Sequence, residues 1–402
     1  MSKPSVLVTF DSMKNPNSGY FSFGKGLGDA LIAQNNDRFK LEYYMFKKTI
    51  YQFDGKVDII YLSGLHKIFF PARNKFDVVH LTDQTCRLNP GKVNAKKIMT
   101  IHDMNKVHLK FSKPNRIKVY IEKLRGLMAQ CDKIVAISRF VANDVLQYFP
   151  ETKDKLSVIY NGADKLVVPD GHTPAFIPQK PFLFTIGLLS VQKGFHLLPA
   201  LLKENDFELV ISGIETPHKQ KIIEEAEKYN CLNRVHITGP VTDDDKAWYY
   251  KNCSAFVFPS IAEGFGLPVI EALHFGKPVF LSKFTSLPEV GGDAAYYFDN
   301  FEPAHMQSVF EKGMQDFIER DRATEMMAQA AKFSWEHAAS QYLININLIP
   351  AIKYPPILHS PLNYVVISRF ALSIKIMYWL ILTIPGYQAA RWIPLSKKKK
   401  HA

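Results

Sequence analysis

The chain is built from short apolar runs that alternate with longer polar segments. Runs rich in Val, Ile, Leu and Phe that end in a glycine or a polar loop are typical of buried parallel strands. Between them, segments 115–130 and 219–229 have helical patterns. This alternation predicts an α/β protein with doubly wound parallel sheets. The predicted strands are 6–10, 57–61, 78–81, 98–101 and 134–137, and then 181–187, 209–213, 235–239, 255–258 and 278–282.

A cluster of prolines divides the chain into two halves. Pro169, Pro174, Pro178 and Pro181 crowd a short stretch, which favours an extended connection over a regular element. We therefore predict two Rossmann-like domains joined by a linker and followed by a tail. Their boundaries are 1–165 for the first domain, 166–180 for the linker, 181–347 for the second domain and 348–402 for the tail.

The composition is that of a globular protein, with 47% hydrophobic and 22% charged residues over 402 positions. The four cysteines are scattered and form no C-x-x-C pair, which argues against a disulfide framework and a zinc site and fits a reducing cytosol. The first apolar run is too short for a signal peptide, so we interpret it as the first strand.

The net charge of +12 is concentrated in the tail. Residues 348–402 contain eight Lys or Arg and no Asp or Glu, so nucleic acid is not the expected partner of the rest of the chain. An apolar run at 364–384 contains Arg369 and Lys375, whose cost at the centre of a bilayer argues against a spanning helix. Two interpretations stay open: a basic helix lying on an anionic membrane surface, or a terminal helix packed across the first domain.

The stretch 259–276 carries the densest candidate chemistry. It follows a predicted strand and leads through a loop into a short helix. Gly264 and Gly266 let a ligand approach the loop backbone, and the start of the helix offers free N–H groups to an anion such as phosphate. Glu263 and Glu271 flank this position as hydrogen-bond acceptors for hydroxyl-rich groups rather than as a paired acid and base.

This stretch resembles the Glu-x7-Glu signature of the retaining glycosyltransferases of family 4. The resemblance implies the GT-B fold, in which two Rossmann-like domains face each other across a cleft; the tail then adds a helical, basic extension. It also implies a nucleotide-sugar donor in the second domain. On this basis Glu263 meets the donor sugar, the backbone of Gly264, Phe265, Gly266 and Leu267 meets sugar and phosphate, and Glu271 holds the ribose.

A second match lies at the start of the second domain. The residues from Gly187 to Gly194 resemble the family's Gly-Arg-x4-Lys-Gly phosphate clamp, with Lys193 at the lysine position. Leu188 stands where many members have arginine, so one of the two expected cations is missing. Because a charge-assisted contact is worth roughly 1.5–3 kcal/mol, we expect a weakened rather than an abolished donor site.

The first domain matches the family more loosely. Gly19 stands where the family places a glycine that lets the chain pass close to donor or acceptor, although Phe21 replaces a frequent second glycine. His102 follows the strand 98–101, at the sheet edge where open α/β sheets bind ligands, and the resemblance places it at the reacting centre. We interpret Glu263, His102 and Lys193 as the candidate catalytic residues.

Two other patterns suggest different chemistry and are not favoured. The glycines at 24, 26 and 28 begin too far beyond the first strand for a dinucleotide fingerprint. The acidic triplet 243–245 could suggest a metal site, but Thr242 before it and a helical pattern after it predict an N-cap and dipole partners. No metal and no cofactor are therefore expected.

The sequence thus predicts a retaining, metal-independent hexosyltransferase that uses a UDP- or GDP-hexose. The tail favours a lipid-linked glycan acceptor at the cytoplasmic face of a membrane, as in the synthesis of lipopolysaccharide and other cell-surface polysaccharides. A synthase acting on a small soluble acceptor and a non-catalytic membrane-bound scaffold with the same fold remain as alternatives.

Overall fold

The computed structural model describes residues 3–53, 55–108 and 114–347. The first domain has a fully parallel sheet in the order β3-β2-β1-β4-β5-β6-β7. Its strands are β1 (Ser5–Thr9), β2 (Lys40–Met45), β3 (Asp58–Tyr61), β4 (Val78–Leu81), β5 (Lys96–Ile101), β6 (Lys133–Ala136) and β7 (Leu156–Val158). Its helices are α1 (Gly19–Gln34), α2 (Asn105–His108), α3 (Pro114–Met128) and α4 (Arg139–Tyr148).

The second domain has a parallel sheet in the order β10-β9-β8-β11-β12-β13. Its strands are β8 (Phe182–Ile186), β9 (Glu208–Ser212), β10 (Val235–Gly239), β11 (Ala255–Phe258), β12 (Val279–Ser282) and β13 (Tyr296–Phe298). Its helices are α5 (Lys219–Lys228), α6 (Asp243–Asn252), α7 (Leu267–His274), α8 (Leu287–Gly291), α9 (Pro303–Arg320) and α10 (Ala323–Ala330), and α11 (Trp335–Asn347) follows. Short 3-10 helices lie at Gly64–Lys67, Pro90–Lys92, Pro150–Lys155, Val191–Lys193, Phe195–Leu202, Leu232–Arg234 and Gly292–Ala294.

Each sheet has a point at which the strand order changes direction. β1 lies between β2 and β4, and β8 lies between β9 and β11, with every one of these pairs parallel. The chain therefore leaves β1 and β8 at the carboxyl edge of each sheet, beside a switch of topology. Open α/β sheets bind ligands in the crevice at such points, so the fold itself marks the loops after β1 and β8 as walls of a site.

The last described helix belongs by packing to the first domain, although the predicted boundary assigns residues up to 347 to the second. In α11, Trp335, Tyr342 and Leu343 are buried together with Val6 and Val8 of the first sheet. A Cβ at Gly26 of α1 would lie 2.2 Å from Nε1 of Trp335, so this glycine allows α1 and α11 to pack closely. Gly26 thus serves the packing of α1 against α11.

Besides the three-residue β7, two strands were not predicted from the apolar pattern. β2 contains Lys40 and Glu42, which interrupt an otherwise apolar run, and Glu42 is buried in an ion pair with Lys75. β13 is a strand of three residues at the edge of the second sheet, too short for a pattern. Both extend the predicted sheets without changing the class of fold.

Among the described residues, none of the helices combines the length and the hydropathy of a membrane-spanning segment. The tail at 348–402, with both of its interpretations, lies outside the described residues.

Candidate active site

Loops from both domains line one cavity of about 530 Å³. The first domain contributes the segment after β1 and the end of β5, and the second contributes the loops after β8, β9, β10 and β11. Because parallel strands end at the same edge of a sheet, the cavity lies where the topology predicts a ligand site. The ten predicted site residues all line it: Gly19, His102, Gly187, Lys193, Glu263, Gly264, Phe265, Gly266, Leu267 and Glu271.

Lys193 and Glu263, predicted to meet phosphate and donor sugar, form an ion pair in the cavity wall. Nζ of Lys193 lies 2.5 Å from Oε1 of Glu263, and both side chains are largely buried. The same ammonium lies 4.9 Å from the centre of the Phe258 ring, so an aromatic face also stabilises its charge. The pair is therefore a charge-assisted hydrogen bond in a partly dehydrated setting.

The loop after β11 is held by hydrogen bonds from both domains. Within the second domain, Oγ of Ser286 donates to the carbonyl oxygen of Glu263 at 3.1 Å. From the first domain, Oγ of Ser138 donates to the carbonyl oxygen of Gly264 at 2.8 Å. A Cβ at Gly264 would lie 1.9 Å from the carbonyl oxygen of His102, so only glycine permits this approach between the domains.

Helix α7 begins beside the cavity. Gly266 precedes it with a φ of 113°, a backbone conformation that favours glycine. Leu267 and Pro268 form the first turn, and both line the cavity. The N–H groups at the start of a helix attract anions, so this end of the cavity suits a phosphate group.

Glu271 is held by two partners that sequence reasoning missed. The Tyr250 hydroxyl donates to Oε2 of Glu271 at 2.8 Å, and Nζ of Lys246 donates to Oε1 at 3.1 Å. Burial opposes the charge of Lys246, but the carboxylates of Glu271 and Asp243 outweigh it and hold the pKa of Lys246 well above its usual range. The sequence contained a signal for this pair of partners, because Lys246 and Tyr250 are four residues apart and therefore share one face of α6.

The acidic triplet 243–245 caps a helix, as predicted. Oγ1 of Thr242 accepts from the backbone N–H of Asp245 at 3.1 Å, and Oδ2 of Asp245 accepts from the N–H of Thr242 at 3.2 Å. This reciprocal arrangement is a capping box at the start of α6. Asp243 pairs with Lys246 at 3.1 Å, and Asp245 lies 2.9 Å from Nε2 of His172, so these carboxylates have protein partners.

His102 lies in the first-domain wall of the cavity, in contact with the rings of Tyr20 and Phe23. Burial lowers the pKa of His102 despite the opposing charge of Asp83, so the ring is neutral at pH 7. Nε2 lies 2.8 Å from the carbonyl oxygen of Thr82, which can only accept, so Nε2 carries the proton. Nδ1 is then an acceptor, suited to a ligand hydroxyl.

Gly19 is the first residue of α1, where Ser18 caps the helix by accepting from the N–H of Phe21 at 3.3 Å. A Cβ at Gly19 would meet nothing within 4 Å. The backbone at this position is therefore open to a ligand in the cavity.

Leu188, in place of the family's arginine, lines the cavity with 46% of its surface exposed. The Lys and Arg residues of the described chain that line the cavity are Lys193 and Lys246, and each is paired with a carboxylate. The cavity thus has little unpaired positive charge for a diphosphate.

Asn161 also lines the cavity and was not among the predicted site residues. It is buried, and its Oδ1 accepts no hydrogen bond from a described residue. Buried polar atoms are normally paired, so Oδ1 is suited to accept from a ligand hydroxyl or a water. Its position just after β7, at the carboxyl end of a strand, is the sequence signal that could have identified it.

Comparison with known proteins agrees with this geometry. Residues 46–165 match the family model described as Glycosyltransferase Family 4, and residues 173–333 match Glycosyl transferases group 1. The chain is 29% identical over 281 residues to the serotype-specific mannosyltransferase WbdA of Escherichia coli, over 65% of this chain and 34% of that protein. It is 26% identical to the O-antigen chain mannosyltransferase B of Escherichia coli, over 61% and 68% of the two chains. The match spans only about a third of the length of WbdA.

Solved structures show the same fold. A glycosyltransferase from Rickettsia africae superposes with a TM-score of 0.67 at 18% identity, over 86% of this chain and 98% of the other. HepE of Anabaena, solved with UDP and glucose, superposes with a TM-score of 0.66 at 16% identity, over 86% of this chain and 100% of the other. The chain belongs to the group 1 and family 4 glycosyltransferases and has the GT-B fold, which confirms the family and the fold predicted from its sequence.

Proposed function

We propose that the chain transfers a hexose from a nucleotide sugar to a glycan with retention of configuration. The observation that carries the proposal is the single cavity in which Lys193, Glu263, Glu271 and His102 come together from both domains. Relatives named as mannosyltransferases of O-antigen chains support a polysaccharide as the product and make mannose the first sugar to test.

The proposed chemistry is mainly stabilisation of the leaving group. The bond between the anomeric carbon and the diphosphate oxygen breaks, and negative charge grows on the diphosphate beside Lys193 and the start of α7. The acceptor hydroxyl attacks from the face that the diphosphate leaves, and its proton passes to the departing phosphate oxygen. Glu263 orients the sugar, Nδ1 of His102 accepts from a sugar hydroxyl, and Glu271 accepts from the ribose hydroxyls.

The proposed acceptor is a lipid-linked glycan at the cytoplasmic face of a membrane. This part of the proposal rests on the basic, apolar tail, which lies outside the described residues, and on the O-antigen relatives. A small soluble acceptor and a non-catalytic scaffold are the alternatives that the experiment below separates from it.

Release of free nucleoside diphosphate from a panel of GDP- and UDP-hexoses, including GDP-mannose and UDP-glucose, tests the proposal. We expect release from one donor, faster with membrane extract than with soluble extract as the source of acceptor, and unchanged by a chelator. A scaffold releases none from any donor, and a synthase for a soluble acceptor prefers the soluble extract. Activity restored only by added Mn²⁺ or Mg²⁺ contradicts the metal-independent mechanism.

The rate of transfer is expected to stay level down to about pH 6.5, the ordinary pKa of histidine, and to fall only at lower pH. Because burial lowers the pKa of His102, its ring stays neutral above that pH. Protonation at lower pH converts Nδ1 from an acceptor into a donor and removes its bond to the sugar hydroxyl. The measurement is kcat/KM for the donor between pH 5 and 8.

The control for this pH profile is His102→Asn, which keeps an acceptor that does not titrate. Its profile is expected to lose part of the acidic decline. An identical decline in the variant contradicts the assignment and points to Asp103, which also lines the cavity and whose pKa is raised by burial.

A further inference from the structure

Exposed apolar side chains are concentrated in one part of the first domain. Of the sixteen large hydrophobic residues that are exposed in the described chain, five lie between residues 50 and 69. Leu65, Ile68 and Phe69 expose 71%, 76% and 57% of their surfaces. We name these three residues the apolar loop. Single exposed hydrophobic residues are ordinary, but a cluster of this kind marks an interaction surface.

The fold holds the apolar loop in place after β3. The segment that carries the apolar loop begins with the 3-10 helix Gly64–Lys67, which Ser63 caps by accepting from the N–H of Leu65. Nδ1 of His66 lies 3.2 Å from the Tyr44 hydroxyl, and Phe70 packs its buried ring edge-on against Tyr44. These contacts anchor the segment to β2 through His66 and Phe70, so the exposed apolar residues lie on backbone that is held in place.

Positive charge lies on the neighbouring segments that leave the same edge of the sheet as the apolar loop. The charges of Lys14 and Arg87 lie 4.5 and 5.0 Å from the centre of the Phe46 ring, which joins the loops after β1, β2 and β4. Lys47 and Lys48 follow Phe46 in the chain, and both are exposed. None of these four, which we name the basic rim, forms an ion pair with a described residue. Over residues 46–76 the sequence has six Lys or Arg and two Asp.

The apolar loop and the basic rim lie on the edge of the sheet that also carries the cavity. Strands β3, β2, β1 and β4 are parallel neighbours, so the segments that follow them leave the sheet at one edge. Lys14 directly precedes Asn15, Pro16 and Asn17, and these three residues line the cavity. A surface that binds the basic rim therefore lies beside the mouth of the site.

We propose that the apolar loop and the basic rim dock this domain onto a bilayer containing anionic lipid. Leu65, Ile68 and Phe69 enter the acyl boundary, and the basic rim contacts the headgroups, which is the usual combination for an interfacial membrane surface. A second copy of the chain is a less suitable partner for this surface, because the basic rims of the two copies would repel each other. The proposal rests on the proposed function only in that docking faces the cavity toward a lipid-carried acceptor.

The test places an environment-sensitive thiol dye at Ile68→Cys in the full chain. The matched control is Ile318→Cys on α9 of the second domain, since Ile318 is 73% exposed. Labelling of the parent chain, which lacks the introduced cysteine, measures the dye that binds to the native cysteines. Of these, Cys131, Cys231 and Cys253 are buried and Cys86 is half-buried. The probes are vesicles of phosphatidylcholine alone or mixed with phosphatidylglycerol.

We expect a blue shift, and quenching by brominated lipid, at position 68 and not at position 318. We expect this result with the mixed vesicles. The double variant Lys47→Gln, Lys48→Gln should need a lipid concentration about tenfold higher or more for half-maximal binding at low salt. Binding to vesicles without a change at position 68 overturns the proposal, because the tail then carries the binding alone. A change that grows with protein concentration in the absence of lipid also overturns it and indicates self-association. Release of nucleoside diphosphate, measured separately, tests the proposed function whichever result is found.

Discussion

Replacing Lys193 with alanine is expected to lower kcat/KM for the nucleotide sugar by about tenfold to a hundredfold. The ammonium is the lysine of the predicted phosphate clamp, and one charge-assisted hydrogen bond is worth roughly 1.5–3 kcal/mol. Leu188 offers no second cation in the clamp, so the loss is not compensated by a neighbour. The measurement is the initial rate at subsaturating donor.

Two variants control this experiment. Lys203→Ala removes an exposed lysine of the same domain that does not line the cavity, and its rate is expected to stay unchanged. Adding Leu188→Arg to Lys193→Ala is expected to recover part of the loss, because it places a cation at the clamp position where the family pattern has arginine. An unchanged rate in Lys193→Ala itself contradicts the assignment of the clamp.

The ion pair between Lys193 and Glu263 gives this prediction a second consequence. A diphosphate competes with Glu263 for the ammonium, and the released carboxylate becomes available to accept from sugar hydroxyls. Binding of the phosphate and orientation of the sugar are therefore coupled through one hydrogen bond of 2.5 Å. Glu263→Gln is a direct probe of this coupling, since it weakens the pair and keeps an acceptor.

Much of the site could be predicted because its parts are local in sequence. The segment with Glu263 and Gly264 directly follows β11, and His102 directly follows β5. In a parallel sheet every strand ends at the same edge, so residues after separate strands converge without any knowledge of side-chain packing. The sequence therefore located the cavity wall in both domains.

The missed features depend on contacts distant in sequence. Glu42 breaks the apolar pattern of β2, and its charge is tolerated in the sheet because Lys75 pairs with it from a segment more than thirty residues away. Helix α11 follows the second domain in sequence, yet Trp335 packs on the first. No local pattern states on which surface a terminal helix will pack.

Replacing Glu271 with alanine is expected to lower the free energy of unfolding by about 3 kcal/mol and to weaken donor binding. Removing one partner of a buried ion pair costs about 3–5 kcal/mol because the other charge is left without compensation. The lower end applies because Asp243 still pairs with Lys246. Urea denaturation measures the stability, and calorimetric titration with nucleoside diphosphate measures the binding.

The two effects of Glu271→Ala have different causes, and a second change separates them. Adding Lys246→Met removes the ammonium that is left partly unpaired, so part of the lost stability is expected to return. Binding of the nucleoside diphosphate is expected to stay weak, because the acceptor proposed for the ribose hydroxyls is still absent. If the double variant regains binding together with stability, Glu271 acts only by holding α6 and α7 together, and its proposed contact with the ribose is wrong.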